Sequence, residues 1–600
     1  MSNFARVVVC DFEYEVVDGD LPDVLCMVAH ELDERLQHVR TIKLWRGEFG
    51  PEPPFDIGPD TLFVAYSAWA EIICFKVLGW KFPTHIFDLH TAYLAASNIL
   101  SPHEPDVLRK KQKKGLSEAS RAYSIEGWKG IDKDALAKAI GTGTWRGCYS
   151  PEDVVNYCTE DVRVETLLLR AQLHGNGWLA PADTGRVIYW SNYSAKCTAL
   201  IQARGMPIDV VLWNLVQENK AAVIRELLRR FDPSHGSDCP IYTSDGEWSY
   251  QRFEQWLART GVIAWPRLPS GALDISGDAF RLMYHIPGIE GLHALRDSLG
   301  VIMRARLPIG RDGRNRPSLF PFGTATGRNA QSKSLYNAHA AMRSFMVFPA
   351  DSIGAYLDWR TQEVGVAAAL SGDPALIEDY RAGDIYHALA KLCGRTNEVD
   401  PVRWKENYPE MRQQMKPLQL GINYGMGVRS LAKGLGRHPL IASEIIERHR
   451  RRYPRFWQWR TEMVQDAMLE RKIVSATTGW PLRISHSPNQ RTLYNFPMQS
   501  GGAEMLRLAT MRLCDAGIVP IMLIHDGILF EETDREKIEH AKEIMVSAGR
   551  DCCNGLEIGA DTDQLLKNGA RYRDKRKVAN DMWNSIMDVL RSINALKDVA

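Results

Sequence analysis

Three apolar runs in the chain each lead directly into an aspartate. "VVVC" precedes Asp11, "AYL" precedes Asp358, and "IMLI" precedes His525 and Asp526. Short apolar runs are typical of buried strands, and an ionised carboxylate inserted in one is costly unless something compensates its charge. The runs therefore predict a fold in which strand-borne aspartates are neutralised by cations.

The size and composition of the chain are those of a globular protein with several domains. A length of 600 residues exceeds what one hydrophobic core usually serves, which predicts two to four domains. No run of about 18 apolar residues is present, so no membrane span is expected, and the N-terminus lacks the features of a signal peptide. Eleven cysteines without a CxxC pair or a zinc-ligand spacing indicate a reduced, cytoplasmic location.

The net charge of +1 does not by itself indicate a nucleic-acid partner. Three local clusters do so more strongly: "RKKQKK" at 109–114, "RHRRRYPRFWQWR" at 448–460 and "RYRDKRK" at 571–577. A solvated surface is an equally good interpretation of any single cluster, so both interpretations stay open for each.

The first third of the chain alternates strand-like and helix-like patterns, which predicts an α/β domain. Strands are expected at 7–15 and 61–68, and helices at 71–80 and 150–173, the latter with a serine cap and early acids. Residues 186–320 are predicted to be mostly helical, and no chemistry is assigned to them.

Acidic residues in this first part form a set that predicts a metal site. Asp11 and Glu13 point to one face of a strand, where they repel each other unless a cation or protons neutralise them. Tyr157 and Asp161 are four residues apart and share one face of the predicted helix. Glu71 opens a helix between the two pairs. Each piece alone is also common on protein surfaces, but the set in this order favours a metal site.

This set resembles the proofreading 3′–5′ exonucleases of the DEDD type, in the subclass with a tyrosine. The segment Asp11 to Glu13 corresponds to the first motif and the segment Tyr157 to Asp161 to the third. The second motif departs, with Ser67 at the family's asparagine position and Glu71 as the acid. Asp88 is an alternative source of that acid.

The exonuclease resemblance implies two divalent metal ions that straddle a phosphodiester. Hard oxygen ligands suit Mg²⁺, with Mn²⁺ as a substitute. Tyr157 is expected to orient the attacking water. The implied metal ligands are Asp11, Glu13 and Asp161, with Glu71 among the catalytic residues.

The second half offers a partner for Asp526, namely Asp358. Two strands that each present one aspartate could form a second two-metal site, whose metal would compensate the buried charge. Between them, four residues recur every four positions along a predicted helix and form a stripe suited to a nucleoside triphosphate. An amphipathic surface helix is the alternative. The stripe consists of Arg412, Lys416, Leu420 and Tyr424.

These residues make the second half similar to a family A DNA polymerase, most of all to the phage-type members. The resemblance covers about residues 1–575, with the motifs in the family's order. It implies a multidomain α/β fold in which an RNase H-like exonuclease domain precedes a right-hand thumb, palm and fingers. The expected boundaries are 1–185 exonuclease, 186–320 thumb and connecting region, 321–373 first palm part, 374–480 fingers, 481–570 second palm part, and 571–600 C-terminal basic segment and helix.

The polymerase resemblance also implies a role for each matching residue. Asp358 and Asp526 would hold two Mg²⁺ ions for phosphoryl transfer. Glu363 would crowd the sugar 2′ position and exclude ribonucleotides. The remaining nucleotide-binding residues are Arg412, Lys416, Leu420, Tyr424, Gln362 and His525. The residues that would contact the duplex of primer-template DNA are Arg328, Arg491, Asn495 and Gln499. The implied protein is a monomer that uses dNTPs.

Several positions depart from the family pattern. Gly527 replaces a glutamate, and Glu531 or Glu532 could supply a distant acid instead. Pro417 is expected to interrupt its helix, because proline lacks a backbone donor. Gln362 replaces an apolar residue beside the sugar gate. Gln362 and Pro417 together suggest the hypothesis of a polymerase that copies phage genomes containing 2-aminoadenine.

Two other functions compete with this interpretation. A single-subunit RNA polymerase shares the palm architecture, but Glu363 and the exonuclease motifs argue against it. A catalytically inactive nucleic-acid-binding scaffold is opposed by the retained acids, which such a scaffold could lose.

Two further segments keep two interpretations each. The aromatic residues Phe456, Trp457 and Trp459 either stack on template or pack between helices. The C-terminal helix either docks a partner or covers the palm.

Overall fold

A computed structural model gives the fold of the chain, which is mixed α/β as the sequence predicts. The structure describes residues 4–16, 19–100, 115–128, 132–175, 182–262, 264–268, 270–303, 307–336, 340–484, 488–567 and 569–593. The basic cluster at 109–114 lies outside the described residues. None of the described helices combines the length and the apolar character that crossing a bilayer requires.

A five-stranded sheet forms the centre of the N-terminal part. Its strands are β1 (Arg6–Glu15), β2 (Asp23–Asp33), β3 (His38–Trp45), β4 (Thr61–Ala65) and β5 (His85–Asp88). Their order is β3-β2-β1-β4-β5, with β1 antiparallel to β2 and parallel to β4. The run from Val7 to Cys10 is buried on both faces of the sheet, which explains why β1 lies in the middle. The predicted strands at 7–15 and 61–68 are confirmed, although the second ends at Ala65.

Five helices belong to this sheet: α1 (Trp69–Leu78), α2 (Leu89–Ser97), α3 (Leu116–Ala122), α4 (Lys133–Gly141) and α5 (Pro151–Leu173). α5 begins with a capping box, because Ser150 Oγ accepts from the Asp153 amide at 3.2 Å and Asp153 Oδ2 accepts from the Ser150 amide at 2.7 Å. Its apolar side packs against β1 and β2. The helix predicted at 150–173 is confirmed, and the sheet and α5 together present the acids to one another.

The next part of the chain is mostly helical, as expected. α6 (Thr184–Ser191), a π-helix (Asn192–Cys197) and α7 (Thr198–Arg204) follow one another without a break. The helices that come next are α8 (Val210–Glu218), α9 (Lys220–Phe231), α10 (Tyr250–Arg259), α11 (Gly277–Leu282) and α12 (Ile289–Met303). Short strands connect distant segments: β6 (Ile99–Leu100), β7 (Met206–Pro207), β8 (Arg314–Asn315), β9 (Ser318–Phe320) and β10 (Ala330–Ser332).

A second sheet forms the centre of the C-terminal part. Its strands are β11 (Ile353–Trp359), β14 (Met522–Ile524), β15 (Gly527–Glu532) and β16 (Ala560–Lys567), in the order β14-β15-β11-β16 and all antiparallel. The run around Asp526 is therefore a hairpin and not one strand. Asp526 lies with His525 in the two-residue turn and is only half-buried, so the expectation of an aspartate buried within a strand is wrong.

Ten more helices and two short strands belong to the described C-terminal part, and one helix, Arg535–Cys552, packs on three strands of the sheet. The helices are α13 (Gln362–Ser371), α14 (Pro374–Arg381), α15 (Ile385–Leu392), α16 (Pro401–Asn407), α17 (Pro409–Asn423), α18 (Val428–Leu435), α19 (Pro439–Arg452), α20 (Pro454–Glu470), α21 (Gln490–Asp515) and α22 (Arg535–Cys552). The strands β12 (Lys472–Val474) and β13 (Pro481–Ile484) form a hairpin, and β13 pairs with β6. This pairing connects the N-terminal part to the C-terminal part.

α17 runs through Pro417 to Asn423, so the predicted interruption at this proline is wrong. The guanidinium of Arg460 donates to the Ile422 and Asn423 carbonyls at 2.9 and 3.3 Å, which satisfies the last turn of the helix. The stripe residues before Tyr424 therefore stay on one continuous helix.

The last described helix, α23 (Lys577–Ser592), lies against α9, α12 and a 3₁₀ helix (Ala340–Phe345). Its buried face includes Met582, Trp583 and Ile586. The helix thus covers the helical segment that follows the first sheet and also the 3₁₀ helix, which lies within the expected first palm part (321–373). That it covers the palm therefore stays a prediction.

Candidate active sites

The first candidate site lies where β1 meets α5. Ligand atoms of Asp11, Glu13 and Cys158 all lie within 4.8 Å of one another, as the shared strand face predicts for the two acids. The Cys158 thiol donates to Asp11 Oδ2 at 3.3 Å. Burial, followed by the negative charge of Asp161, raises the pKa of Asp11 well above its ordinary value. Sequence reasoning missed Cys158, although it stands next to Tyr157 in the third motif.

Asp161 belongs to the same site but is already neutralised by a lysine. Lys133 Nζ donates to the two carboxylate oxygens of Asp161 at 2.5 and 2.8 Å and to the Tyr157 hydroxyl at 3.2 Å. The indole of Trp128 donates to the same carboxylate. The structure therefore brings Tyr157 and Asp161 together as predicted. Neither Lys133 nor Trp128 was found from the sequence, since no motif contains them.

Two buried glutamates complete the acidic cluster. Glu71 on α1 is only 3% exposed, and its Oε2 has no hydrogen-bond partner among the described residues. Glu165 on α5 is 1% exposed and accepts from the Tyr66 amide at 3.2 Å with its other oxygen. Burial and the nearby charge of Asp11 raise the pKa of both carboxyls well above the ordinary value. A buried acid without a partner is what a bound cation would compensate, so a divalent metal fits this site.

Asp88 is fully engaged in holding the local structure. Its carboxylate accepts from the Ser67 and His90 amides at 2.9 and 3.1 Å and from Thr91 and Ser194 hydroxyls at 2.7 and 3.2 Å. These bonds cap α2 and bind it to the end of β4. The geometry therefore favours Glu71 over Asp88 as the second-motif acid.

The second candidate site lies at the end of β11. Asp358 pairs in register with Gly527, and the Trp359 amide donates to the Asp526 carbonyl at 3.0 Å, which places the two aspartates side by side. Burial, followed by the negative charges of Asp526 and two further aspartates, raises the pKa of Asp358 to about 7. The positive charge of Lys416, a residue of the predicted stripe, acts in the opposite direction on the pKa of Asp358.

The two further aspartates come from β16, which sequence reasoning did not include. Asp561 is opposite Asp358 in register, and its carboxylate is held by Arg360 Nε at 2.8 and 2.7 Å. Asp563 is paired with Lys575 at 2.7 Å. The only indication of these two acids in the sequence was their spacing, two positions apart in the segment "ADTD" at 560–563.

Glu531 and Glu532 lie at the far end of β15 and are bound elsewhere. Arg314 contacts both oxygens of Glu531 at 2.8 Å, and Arg204 contacts Glu532 at 2.9 Å. The expectation that one of them supplies a distant acid is wrong. A side chain at Gly527 would place its Cβ 2.4 Å from the Tyr356 hydroxyl, so the tyrosine ring occupies the space that any side chain at this position would need.

The predicted nucleotide stripe is present on α17. Arg412 forms an ion pair with the buried Asp384, and its guanidinium lies 5.0 Å from the ring centre of Tyr386. Asp384 was missed because it lies 28 residues before Arg412. Lys416 is exposed, and Leu420 and Tyr424 are half-buried, with Tyr424 just past the end of the helix.

Glu363, the predicted sugar gate, forms an ion pair with Arg328, one of the residues predicted to contact the DNA duplex. Glu363 Oε1 accepts from Arg328 Nη2 at 2.5 Å. Gln362 is buried and donates to the Gly502 carbonyl at 3.4 Å, which directs its amide into α21. His525 is exposed in the hairpin turn.

The remaining predicted duplex contacts lie at four-residue intervals on α21. Arg491 is exposed, whereas Asn495 and Gln499 are half-buried. They therefore form one stripe along the first three turns of a helix whose second half is mostly buried.

The aromatic residues of α20 pack between helices. Phe456 is fully buried, and the indole of Trp457 donates to His449 at 3.0 Å. Trp459 is half-buried against Phe456. The helix-packing interpretation of these rings is therefore supported.

Comparison with known proteins extends this description. Residues 310–552 match the family model described as DNA polymerase family A. The chain is 27% identical over 227 residues to "DNA polymerase I, thermostable" of Thermus filiformis, which covers 35% of this chain and 26% of that protein. It is 26% identical over 189 residues to the "DNA polymerase" of Mycobacterium phage D29, covering 31% and 30% respectively. The chain thus matches less than a third of the length of either relative.

A solved structure matches almost the whole chain. The POL domain of Pol1 from M. smegmatis, in complex with DNA primer-template and dNTP, aligns with a TM-score of 0.65 over 94% of this chain and 95% of that one. At 15% identity this likeness establishes the fold alone. The chain therefore has the fold of a DNA polymerase domain. Within this class, the similarity to DNA polymerase family A is confined to residues 310–552.

Proposed function

We propose that the protein is a template-directed DNA polymerase that extends a primer with dNTPs and proofreads with a 3′–5′ exonuclease. The observation that carries the polymerase proposal is the pair Asp358 and Asp526 at one end of the second sheet, where the positive charge of Lys416 also acts on Asp358. All three lie within the segment that matches DNA polymerase family A.

The proposed domains follow the boundaries expected from the sequence. The first sheet and its helices would be the exonuclease (1–185), and the helical segment after it the thumb and connecting region (186–320). The palm would consist of 321–373 and 481–570, on either side of the fingers (374–480). The matched structure was solved with DNA primer-template and dNTP, which supports these as the ligands of the present chain.

Mg²⁺ fits both sites, because their ligands are carboxylate oxygens whose charges lack compensation in the protein alone. Asp358 and Asp526 would hold it in the palm, and Asp11 and Glu13 in the exonuclease, where the Asp161 carboxylate is already paired with Lys133. Mg²⁺ in such sites supplies Lewis-acid stabilisation of phosphate charge. Arg412 and Lys416 would bind the triphosphate, Arg412 in the orientation that Asp384 fixes. The primer-template duplex would be contacted by Arg491, Asn495 and Gln499.

A primer-extension gel tests the proposal. With Mg²⁺ and a labelled primer-template, we expect extension with four dNTPs and shortening without nucleotides. Extension with ribonucleotides alone would instead identify an RNA polymerase. No extension and no shortening under any condition would overturn the proposal in favour of a nucleic-acid-binding scaffold.

The finer proposal is replication of a phage genome in the host cytoplasm, which the similarity to a phage enzyme supports. A preference for 2-amino-dATP is tested by a further arm in which it replaces dATP. Faster extension in that arm is the expected result under the 2-aminoadenine hypothesis. Equal rates would contradict it.

Glu71→Gln and Asp88→Asn separate the two candidates for the second-motif acid. We expect Glu71→Gln to slow primer shortening by roughly 10²-fold, because an amide is a poor substitute for an anionic ligand at a metal site. Asp88→Asn should keep the shortening rate and lower stability by about 1 kcal/mol through the weakened cap. Single-turnover digestion of single-stranded DNA and urea unfolding measure the two effects. Slower shortening in Asp88→Asn alone would reverse the assignment.

Mn²⁺ binding at the palm should depend on pH. Because the pKa of Asp358 is about 7 in the folded protein and near 3.8 ordinarily, the carboxyl is protonated below pH 7 and must lose its proton to bind metal. We expect the Mn²⁺ dissociation constant to fall about tenfold per pH unit from pH 5 to 7 and then to level off. Calorimetric titration of an Asp11→Asn variant isolates this site.

The raised pKa of Asp358 also predicts how the stability of the folded protein depends on pH. A raised pKa stabilises the folded state below pH 4, and this contribution is lost as pH rises through 7. The metal-free protein should therefore unfold at lower temperature at pH 8 than at pH 5, and Asp358→Asn should reduce the difference. In the calorimetric titration, a Mn²⁺ dissociation constant that does not change between pH 5 and 7 would refute the pKa of about 7 for Asp358.

A further inference from the structure

The ammonium group of Lys133 lies inside the first candidate site. Besides its bonds to Asp161 and the Tyr157 hydroxyl, it lies 4.2 Å from the ring centre of Trp128 and 5.0 Å from that of Tyr157. The lysine side chain is 20% exposed. It therefore reaches the site with its charge compensated by one carboxylate and two aromatic faces.

The charges of this site are distributed unevenly. Asp161 has a cation and an indole donor, whereas Asp11, Glu13 and Glu71 have no lysine or arginine ion pair among the described residues. The charge of Lys133 also acts on Asp11 and Glu13, but burial and the neighbouring acids outweigh it and raise the pKa of both carboxyls. This side of the cluster therefore still needs a cation.

The position of Lys133 is fixed by contacts at the beginning of its helix and after its end. Lys133 is the first residue of α4, whose N-cap Asp132 accepts from the Ala135 amide at 3.1 Å. After α4, the indole of Trp145 donates to Glu15 at the end of β1 at 2.5 Å. The lysine is thus placed by a helix that is anchored to the strand carrying Asp11.

We propose that Lys133 takes the place of a second metal ion at Asp161, so that this centre uses one divalent cation together with one ammonium group. The inference rests on the proposed exonuclease function and specifies its charge requirement. The single cation would be held by Asp11 and Glu13, whose ligand atoms lie within 4.8 Å of each other. This differs from the two ions that the family resemblance implies.

The reaction is hydrolysis of the last phosphodiester of a DNA strand. The oxygen of water forms a new bond to phosphorus, and the bond from phosphorus to the 3′ oxygen of the preceding nucleotide breaks. The proton lost by water is balanced by the one gained at that 3′ oxygen, which leaves a nucleoside 5′-monophosphate and a shortened strand. Lys133 keeps its proton and stabilises the charge that develops on the phosphate oxygens.

Two measurements test the role of Lys133, both in an Asp358→Asn, Asp526→Asn background that removes the palm site. Calorimetry and electron paramagnetic resonance count bound Mn²⁺. Single-turnover digestion of single-stranded DNA gives the shortening rate. The variants are Lys133→Ala, Lys133→Arg and, as matched control, Lys138→Ala, which removes an exposed lysine from the same helix.

We expect one Mn²⁺ ion in the background protein and a second one in Lys133→Ala, where Asp161 becomes available. Shortening should fall roughly 10²- to 10³-fold in Lys133→Ala, as for loss of one preorganised charge-stabilising group. Lys133→Arg, which keeps the positive charge, should recover part of the rate and bind one ion. Lys138→Ala should match the background.

Two results would overturn the inference and leave the exonuclease in place. One is a background protein that already binds two ions at this site. The other is a Lys133→Ala variant that shortens DNA as fast as Lys138→Ala or faster, since this would make the lysine structural or inhibitory. Absence of shortening in the background protein itself would instead overturn the proposed exonuclease. Circular dichroism of each variant establishes that it is folded.

Discussion

Replacement of Asp358 by asparagine is expected to abolish primer extension in Mg²⁺ while primer shortening continues at the wild-type rate. Asp358 and Asp526 are the two acids that lie side by side at the end of the second sheet, and loss of one charge removes half of the proposed metal-binding pair. Metal stabilisation of phosphoryl transfer contributes several kcal/mol, so extension should fall by roughly 10³-fold. Single-nucleotide incorporation under single-turnover conditions measures this loss.

Asp561→Asn is the matched control for this substitution. Asp561 is directly opposite Asp358 in the sheet, but its carboxylate is held by Arg360. We expect this variant to extend primers at close to the wild-type rate. Equal losses in both variants would mean that general negative charge, and not a specific ligand, is what extension requires.

The second large effect concerns Asp11, whose replacement by asparagine should eliminate primer shortening and spare extension. The carboxylate lies within 4.8 Å of the ligand atoms of Glu13 and Cys158, so one substitution removes the centre of the cluster. We expect a loss of roughly 10³-fold in the digestion of single-stranded DNA. In EDTA at pH 8 the same variant should unfold at a higher temperature than wild type, because it relieves repulsion among clustered acids.

Glu160→Gln provides the control for Asp11→Asn. Glu160 is on the same helix as Asp161 but forms an ion pair with Arg163 at 2.9 Å. Its replacement should leave shortening unchanged. Shortening that survives in Asp11→Asn would contradict the proposed exonuclease site, whatever the control shows.

Local patterns in the sequence were enough to predict the strand β1, the helix α5 and the shared face of Asp11 and Glu13. Period-two spacing and a serine cap specify these features over a few residues, without knowledge of the rest of the chain. The turn at Asp526 was missed because apolar residues continue on both sides of it. An aspartate–glycine pair typical of short hairpins is present at Asp526 and Gly527, but the two loop residues are His525 and Asp526, one position earlier.

The contacts that were not predicted all join residues far apart in the chain. Lys133 approaches Asp161 across 28 residues, and Arg314 approaches Glu531 across 217. Neither lysine nor arginine carries a local signal for its partner, since both are common on protein surfaces. Only the folded arrangement of α4 and β15 shows which acids are free and which are already paired.

The position of α23 has a consequence for how the protein is made. On the ribosome, α9 is synthesised roughly 350 residues before the helix that buries its apolar side. At about 5 to 20 residues per second, this leaves the apolar side of α9 without α23 for roughly 20 to 70 seconds. During that interval the nascent chain exposes a surface that chaperones recognise, so production of active protein should depend on chaperone supply more than its final stability suggests.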